Sequence, residues 1–416
     1  MHELSVCQAL IGQIENIARQ HSAATIRSVN VRIGPLSGVE AELLVQAFPL
    51  ASAGTVAQDS RLVIERLPIR VRCESCGAET AAEPNKLVCG ACGDWHTQLV
   101  SGDEMLLASV ELIWNAECGM KMVNSNNSAF RIPHSEAPMC ETCGCNITPG
   151  NEHLAHRKDA QGNDAVTVLK DLLSANNEVA AHNREHFDRH GVLALNLMSA
   201  PGSGKTLLLE ATIEALKHEF RIGVIEGDLE TENDAARIRA KGVPAVQITT
   251  GSACHLDAHM VHDALHHMPP ADIDILFIEN VGNLVCPASF DLGQHRNITL
   301  LSTTEGDDKP AKYPVMFRAA DLVLLTKTDL LPVLDDFDPA RAELCLRQLA
   351  NPAPMLHLSA KKKDGLDAWF DWLRHELAAQ RQRARHGQTL HPAVQPDGAR
   401  MHARMAQHHG PLYRRI

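Results

Sequence analysis

The chain has 416 residues and a mass of 45.4 kDa, enough for two or three domains. Its hydrophobic fraction of 44% and charged fraction of 22% indicate a folded chain, and its formal net charge of -12 disfavours a nucleic-acid binder. The sequence shows neither a membrane-length apolar run nor a secretory signal, so we expect a cytoplasmic protein without membrane partners. In a reducing compartment, its 12 cysteines are more often metal ligands than disulfides.

Residues 1–117 have the pattern of a small α+β domain. Apolar residues recur every three or four positions over 6–20, which predicts a helix, and they alternate over 29–33, which predicts a strand. We also predict a helix over 39–50 and strands over 62–71 and 105–113 in this domain. The two predicted strands flank a cysteine-rich insert.

The insert carries two Cys-x2-Cys pairs, Cys73 with Cys76 and Cys89 with Cys92, separated by residues 77–88. Each pair places two thiolates on one tight turn, and two facing turns form a tetrahedral cage that suits Zn2+. Four unrelated reduced cysteines are the alternative, which this spacing disfavours. We therefore predict one structural zinc ion.

The start of the chain, Met1-His2-Glu3, would indicate only a solvated terminus if it stood alone. In combination with other features, residues 1–117 resemble the HypA family of nickel metallochaperones. The resemblance rests on this start, the four-cysteine insert, Gly34-x3-Gly38-Val39-Glu40 and Ser101-Gly102. It implies that Met1 and His2 bind Ni2+ through amine, amide and imidazole nitrogens, with Glu3 and Glu40 as neighbours that ligate the ion or shape the site. Such nitrogen donors favour tetragonal Ni2+.

Residues 118–190 have a weaker pattern, and we interpret them as a linker with one helix over 166–190. The linker contains three closely spaced cysteines, Cys140, Cys143 and Cys145. Three thiolates so close together can bind Ni2+ or Zn2+, and a redox or inert cluster is the alternative. The histidines of this segment could buffer metal weakly but are more simply explained as exposed linker residues: His153, His156, His182 and His186.

Residues 191–375 change character and predict an α/β domain with a mostly parallel sheet flanked by helices. Short apolar runs separated by helical stretches are typical of buried strands in βαβ units. The predicted strands lie at 192–198, 222–225, 275–278, 322–325 and 355–358, with a helix at 207–220. We interpret residues 376–416 as a basic tail with histidines, whose helix frays into solvent.

The first strand of this domain runs into residues 199–206, Ser-Ala-Pro-Gly-Ser-Gly-Lys-Thr. This loop matches the pattern G-x4-G-K-[ST] except that Ser199 replaces the first glycine. Backbone amides from Gly202, Ser203 and Gly204 onwards would cradle a β-phosphate. Lys205 would neutralise the β- and γ-oxygens, and Thr206 would ligate Mg2+. A chance glycine-rich turn is the alternative, which the strand–loop–helix context disfavours, so we predict that 191–375 is a P-loop NTPase domain.

Acidic residues follow two later strands of the predicted sheet. Asp228 ends the second strand and can hold Mg2+ or its water, and Glu279 ends another strand. Gly282 comes shortly afterwards and could bring its amide to the γ-phosphate. We therefore predict that Lys205, Thr206, Asp228 and Glu279 form the catalytic set.

The last two loops predict a guanine pocket. In Thr326-Lys327-Thr328-Asp329, the Asp329 carboxylate can accept both N–H groups of the guanine edge, which adenine lacks, and the stem of Lys327 can lie along the base. Ser359 and Ala360 belong to the final loop around the base. Thr326 departs from the common Asn-Lys-x-Asp motif, and we still expect the pocket to favour GTP over ATP.

Two further motifs, Gly251-x2-Cys254-His255-Leu256-Asp257 and Glu279 to Asp291 (ENVGNLVCPASFD), complete a close resemblance to the HypB family over 139–375. HypB proteins are GTPases that help deliver nickel to [NiFe]-hydrogenase. The resemblance implies a Ni2+ or Zn2+ site at Cys254, His255 and Cys286, whose alternative is three inert buried side chains. It also relates Cys140-x2-Cys143-Gly144-Cys145 to an N-terminal nickel motif of some HypB proteins, although the motif is internal here and lacks a free amine.

The whole chain thus looks like a HypA–HypB fusion, which implies a cytoplasmic GTPase that inserts nickel during hydrogenase maturation. The resemblance implies Ni2+, Zn2+, Mg2+ and GTP as ligands. It implies the hydrogenase large-subunit precursor and other accessory proteins as partners, and a GTP-linked homodimer. The alternatives are nickel delivery to urease, a P-loop kinase with only structural zinc, and a metal-storage adaptor with an inactive nucleotide domain.

Overall fold

A computed structural model describes residues 2–114, 157–158, 164–228, 233–250, 254–268 and 270–394. The helices are α1 His2–Gln20, α2 Ala41–Ser52, α3 Ser174–His190, α4 Lys205–Leu216, α5 Asn233–Ala240, α6 Ala258–Leu265, α7 Lys309–Lys312, α8 Pro314–Arg318, α9 Pro339–Gln348 and α10 Leu366–Arg385. The strands are β1 Thr25–Ile33, β2 Arg61–Arg66, β3 Arg70–Cys73, β4 Glu79–Ala81, β5 Thr97–Ser101, β6 Met105–Ile113, β7 Arg157–Lys158, β8 Asp164–Asp171, β9 Leu193–Ser199, β10 Ile222–Asp228, β11 Ala245–Thr249, β12 Ile275–Glu279, β13 Arg296–Ser302, β14 Leu322–Thr326 and β15 Met355–His357.

The N-terminal domain is built on a five-stranded sheet of order β2-β1-β6-β8-β7, on which α1 and α2 pack. The predicted α1 is confirmed, and its Val6, Leu10 and Ile14 are fully buried. Their spacing of three to four positions keeps all three on the face that meets the sheet. The strand predicted over 62–71 is two strands, β2 and β3, and the break contains Pro68, which has no N–H for a sheet ladder.

Beyond that break, the cysteine insert forms a separate three-stranded sheet of order β4-β3-β5. A small apolar cluster, Leu36, Ile69, Val71 and Leu87, supports the insert on the domain. A core of this size is too small to stabilise such a unit alone, so a metal cross-link is the expected complement.

The second domain is a seven-stranded sheet of order β11-β10-β12-β9-β13-β14-β15, in which every neighbouring pair is parallel. The five predicted strands are confirmed, but β11 and β13 were not predicted. The sequence of strand β13, Arg-Asn-Ile-Thr-Leu-Leu-Ser, does not look like a buried strand because it contains polar residues that are buried in the structure. Asn297, for example, can be buried because its side chain accepts a hydrogen bond from Gln294 Nε2 at 2.9 Å.

The predicted linker helix over 166–190 is wrong in its first part. Residues 164–171 form β8, which pairs antiparallel with β6 of the N-terminal sheet. Val166 and Val168 alternate as in a strand and pack against the buried core, which overrides the helical interpretation. Helix α3 then packs into the second domain, where Nη2 of the buried Arg184 donates to both carboxylate oxygens of Asp291, at 2.6 and 2.8 Å.

The prediction of a solvated C-terminal tail from residue 376 is also wrong for its first part. Leu377 and Gln380 of α10 are buried, and Leu390 packs into the same core as Trp369. The apolar residues of α10 recur at helical spacing, so this helix covers the parallel sheet instead of fraying. Among the described residues, no helix has both the length and the apolarity to cross a membrane.

The two domains are in direct contact. Asp103 of the N-terminal domain forms an ion pair with Arg318 at 2.8 Å, and both side chains are nearly buried. The amide of Leu87, in the cysteine insert, donates a hydrogen bond to the carbonyl oxygen of Gln348, at the end of α9, at 2.7 Å. The Asp103–Arg318 pair is nearly screened from solvent, so removing either partner would leave the other charge buried without a counter-ion.

Candidate nucleotide and metal sites

The glycine-rich loop joins β9 to α4 at the carboxyl edge of the parallel sheet. Gly202 and Gly204 have φ values of 74° and 99°, a left-handed conformation that other residues rarely adopt. Lys205 is buried, and its Nζ donates a hydrogen bond to Ser199 Oγ at 2.9 Å. Burial lowers the pKa of Lys205, while the nearby Glu279 carboxylate opposes that shift. The loop therefore combines the buried ammonium group of Lys205 with a set of backbone amides, which is an arrangement that binds phosphate.

Carboxylates gather beside the phosphate loop. Thr206 Oγ1 donates to Glu279 Oε1 at 2.9 Å, and Asp228 and Glu226 line the same cavity. Oε2 of Glu226 and Oε2 of Glu279 are buried without a hydrogen-bond partner among the described residues. Burial raises the pKa of Glu226 to about 8 and that of Glu279 to about 7. Buried, unpartnered carboxylate oxygens of this kind fit a hard cation such as Mg2+.

A neighbouring cavity has the composition of a base pocket. The predicted residues Lys327, Asp329, Ser359 and Ala360 line it together with Leu207. Ser359 Oγ donates to Asp329 Oδ1 at 2.6 Å, which orients the carboxylate toward the cavity rim. A carboxylate fixed in this way can accept the paired N–H donors of guanine.

Thr326, which departs from the common guanine motif, connects the base pocket to the phosphate loop. Its Oγ1 donates to the carbonyl oxygen of Ser203 at 2.8 Å, and both groups are buried. The hydroxyl thus fixes the position of the loop from the end of β14, the strand that precedes Asp329. This contact gives the substituted residue a structural role that the motif alone did not predict.

Glu305 is a site residue that sequence reasoning missed. Its Oε1 accepts hydrogen bonds from Ser203 Oγ at 2.6 Å and from the amide of Ser302 at 3.2 Å. Its Oε2 is buried without a partner among the described residues. The available signal was an acid directly after a strand, but that strand, β13, was not predicted.

Cys254, His255 and Cys286 come together on the face of the second domain that meets the N-terminal domain. Their ligand atoms all lie within 4.8 Å of one another, and the two sulfur atoms are 2.9 Å apart. The His255 ring stacks on Phe290 with centroids 3.9 Å apart, which fixes the imidazole. Burial and the Cys254 thiol raise the pKa of Cys286 above its usual range. Two sulfurs and one imidazole nitrogen are a donor set for Ni2+ or Zn2+.

The segment that carries Cys286 touches the phosphate loop. Gly282 lies so close to the phosphate loop that a Cβ added to it would be 3.0 Å from Pro201 Cα. Asn283 Nδ2 then donates to Cys286 Sγ at 3.3 Å, and Cys286 begins a short 3-10 turn. A displacement at Gly282 would therefore reach the sulfur atom of Cys286 over a few residues.

The four cysteines of the insert also converge. Cys73 and Cys92 have sulfur atoms 3.6 Å apart, as do Cys76 and Cys89. All four sulfur atoms lie within 4.8 Å of one another. This is the donor set of a closed, tetrahedral Zn2+ site.

The structure describes only part of the N-terminal nickel motif. Met1, the side chain of His2 and the cluster Cys140, Cys143 and Cys145 lie outside the described residues. Glu3 lies on α1, close enough for its charge to contribute, after burial and Cys254, to the raised pKa of Cys286. Glu40 is exposed at the start of α2 and is not grouped with a metal cluster among the described residues.

The two halves of the chain match two different family models. Residues 1–112 match "Hydrogenase/urease nickel incorporation, metallochaperone, hypA", and residues 193–356 match "CobW/HypB/UreG, nucleotide-binding domain".

Individual relatives match the second half. Hydrogenase maturation factor HypB of Rhizobium leguminosarum bv. viciae is 52% identical over 223 residues, which cover 53% of this chain and 73% of that protein. The HypB protein of Escherichia coli (strain K12) is 52% identical over 214 residues, which cover 51% of this chain and 73% of that protein. A crystal structure of HypB from Helicobacter pylori in complex with nickel has 42% identity and a TM-score of 0.47, and covers 49% of this chain and 96% of that one. The HypB relatives are matched at 52% identity over 73% of their length, and the HypA model matches residues 1–112. The chain therefore belongs to the HypB family of hydrogenase maturation factors and carries a HypA domain fused at its N-terminal side.

Proposed function

We propose that this protein binds and hydrolyses GTP in order to deliver nickel during the maturation of [NiFe]-hydrogenase. The observation that carries the proposal is the connection between the two sites. A single segment, 279–286, begins with a carboxylate at the candidate Mg2+ position, passes against the phosphate loop at Gly282, and ends at Cys286. Nucleotide state can therefore change the ligands of the nickel cargo.

The nucleotide would occupy the two adjoining cavities, with guanine against Asp329 and the phosphates over Gly202 to Thr206. Lys205 would leave Ser199 Oγ and bind the β- and γ-oxygens. Thr206, Asp228 and Glu279 would hold Mg2+ or its water, and the bound ion would neutralise charge on the phosphates. Neutralisation of the buried carboxylates by Mg2+ would also lower their raised pKa values.

Nickel would be held by Cys254, His255 and Cys286 as cargo. Soft sulfur and imidazole donors bind Ni2+ and Zn2+, and they require deprotonated thiols. A cation that lowers the pKa of Cys286 would release its proton on binding. The reduced thiols that this site needs are maintained in the cytosol, where we place the reaction.

The HypA domain would exchange nickel with this site inside one chain. Gly38 packs against Ser289, three residues beyond Cys286, and the Glu3 charge reaches the Cys286 thiol. These contacts bring Glu3 and Gly38 close to the Cys286 segment, which supports transfer from the nickel motif that we propose at Met1, His2, Glu3 and Glu40. Covalent fusion maintains the halves at an effective concentration on the order of millimolar, which favours transfer between weak sites.

The proposed partners are the hydrogenase large-subunit precursor, which receives nickel, the other hydrogenase accessory proteins, and a second copy of the chain in a GTP-linked homodimer. We leave the internal motif Cys140, Cys143 and Cys145 as a proposed auxiliary nickel site. A P-loop kinase with only structural zinc is less consistent with the structure, because it would have no use for Cys254, His255 and Cys286 beside Gly282.

The test is Ni2+ affinity of the full chain with GDP and with a non-hydrolysable GTP analogue. We expect different affinities in the two states for the wild type and equal affinities for Cys286→Ala. Cys345→Ala, which removes a partly exposed thiol of α9, is the matched control and should behave as the wild type. Equal wild-type affinities in the two states would contradict nucleotide gating.

A second variant tests the exchange between halves. His2→Ala should prevent loading or delivery of Ni2+ and leave the rate of GTP hydrolysis unchanged, because His2 is not part of the nucleotide site. Nickel transfer to a hydrogenase precursor is the readout for delivery. Full delivery by His2→Ala would exclude the proposed role of the N-terminal motif.

A further inference from the structure

Four histidine rings meet where α3 packs against α6. His182 and His186 are one turn apart on α3, and their Nε2 atoms lie 3.1 Å from each other. The ring of His262, on α6, has its centroid 5.4 Å from that of His182 and 6.4 Å from that of His186. His266, directly after α6, lies 5.2 Å from His262. The linker interpretation of His182 and His186 is therefore wrong, because α3 is packed against another helix.

The orientation of His262 is set by a buried amide. His262 Nδ1 lies 3.0 Å from Oδ1 of Asn183, which is fully buried. Asn183 Nδ2 donates to the carbonyl oxygens of Ala258 at 2.9 Å and Leu292 at 3.2 Å, so its Oδ1 must be an acceptor. The hydrogen therefore lies on His262 Nδ1, and Nε2 keeps its lone pair. This is the arrangement in which metal-ligating histidines are normally held.

The spacing of the two α3 nitrogens is that of adjacent ligands on one ion. Metal–nitrogen bonds of about 2.0–2.1 Å, at angles between a right angle and the tetrahedral angle, separate two ligand nitrogens by roughly 2.8–3.4 Å. The observed Nε2–Nε2 distance of 3.1 Å falls within this interval. Two imidazole nitrogens so close cannot both carry a hydrogen directed at the other, so at least one lone pair points into the gap.

We propose that His182 and His186 bind a borderline divalent cation, Ni2+ or Zn2+, at the α3–α6 surface, and that His262, whose ring nitrogens do not lie within 4.8 Å of both in the structure, rotates to become the third ligand when the ion binds. The site is separate from the thiolate sites and uses imidazole nitrogens alone, a donor set suited to these ions. His182 is exposed, and His186 and His262 are half-buried, so the cation can enter from solution. His266 is a fourth ring beside the site.

A cation bound here would join two helices that belong to different parts of the second domain. Helix α6 starts at Ala258, three residues after His255, and α3 leads into β9 and the phosphate loop. Binding would therefore stabilise the packing of the helix that follows the Cys254–His255 pair. This inference is independent of GTP and of the hydrogenase client.

The main experiment measures Ni2+ binding by calorimetry on the full, zinc-loaded chain in which Cys254→Ala and Cys286→Ala remove the thiolate site. We expect that adding His182→Ala and His186→Ala removes one Ni2+ equivalent or weakens it at least tenfold. Addition of His218→Ala, an exposed histidine after α4, is the control and should change nothing. Unchanged stoichiometry and affinity in the His182/His186 variant would overturn the proposal.

A measurement on the wild-type chain covers the case in which the variant folds poorly. Nitrogen-15 spectra of the histidine rings, recorded with and without diamagnetic Zn2+, should show the Nε2 signals of His182, His186 and His262 moving together. The His218 signals should stay in place. Absence of any coordinated shift would overturn the site, whether or not GTP affects nickel at Cys286.

Discussion

The sulfur atom of Cys254 lies 2.9 Å from that of Cys286, although the two residues are 32 positions apart in the chain. Cys254 follows β11, and Cys286 follows β12 at the end of a segment that touches the phosphate loop. In the parallel sheet the carboxyl ends of these strands lie on one edge, so their loops meet there. The pair thus links a candidate nickel site with the candidate nucleotide site.

Lys205→Ala should lower the rate of GTP hydrolysis by at least about a hundredfold, the size of effect expected when one preorganised charge-stabilising group is lost. Lys205 is the cation buried in the phosphate loop, and its removal takes away the group that would face the β- and γ-oxygens. Phosphate release under single-turnover conditions measures the effect. Lys217→Ala, an exposed lysine after α4, is the control, and hydrolysis at the wild-type rate by Lys205→Ala would contradict the assignment of the loop.

Asp329→Asn should reduce the preference for GTP over ATP by roughly tenfold, since one lost hydrogen bond of this kind is worth about 1.4 kcal/mol. An amide has one acceptor oxygen and cannot accept both N–H donors of guanine. Competition between GTP and ATP for the folded chain measures the ratio. Asp335→Asn replaces an exposed acid of the same loop region and should leave the ratio unchanged. An unaltered preference in Asp329→Asn would exclude this carboxylate as the guanine acceptor.

Cys73→Ser should release zinc and unfold the three-stranded insert, because metal binding to a small unit contributes directly to its folding free energy. Metal analysis and hydrogen exchange over residues 70–101 measure the two effects. Exchange should rise in the insert and change little in the parallel sheet. Cys345→Ser controls for the loss of a thiol elsewhere, and a zinc-free Cys73→Ser insert with wild-type protection would show that the metal is dispensable.

Acid should destabilise the chain through His391. Burial, with the Arg184 charge as a further contribution, lowers the pKa of His391 to about 4 in the folded protein, against a usual value near 6.5. Above pH 6.5 the ring is neutral in both the folded and the unfolded chain, so it does not reduce the free energy of unfolding. Between pH 6.5 and 4 the free energy of unfolding falls, because the unfolded chain then binds a proton that the folded chain does not. The loss is at most about 3 kcal/mol.

Urea unfolding of the wild type and of His391→Asn between pH 7.5 and pH 4.5 measures this contribution. The free energy of unfolding should fall less steeply with acid in the variant. His386→Asn, at an exposed position after α10, should retain the wild-type slope. Parallel curves for the wild type and His391→Asn would mean that His391 titrates alike in both states.

Local patterns were sufficient to predict the domain classes and much of the binding chemistry. The phosphate loop depends on consecutive residues, 199–206, between an apolar strand and a helix, so its chemistry is visible without the fold. The cysteine insert is equally local, since Cys73 and Cys76 share one turn, as do Cys89 and Cys92. Motif resemblance also singled out Cys254, His255 and Cys286, which the structure brings together. Their metal ligation stays a prediction.

What the sequence alone determined was therefore the set of local motifs and the strands with continuous apolar runs. Only the tertiary structure decided which strand β8 would join, that α10 would cover the sheet, and that Glu305 would reach Ser203. It also decided that His182 and His186 face His262 across two helices. The physical reason is that these features depend on contacts between distant residues. Burial there selects one conformation among several that the local pattern allows, and a polar strand such as β13 forms because its partners satisfy its buried groups.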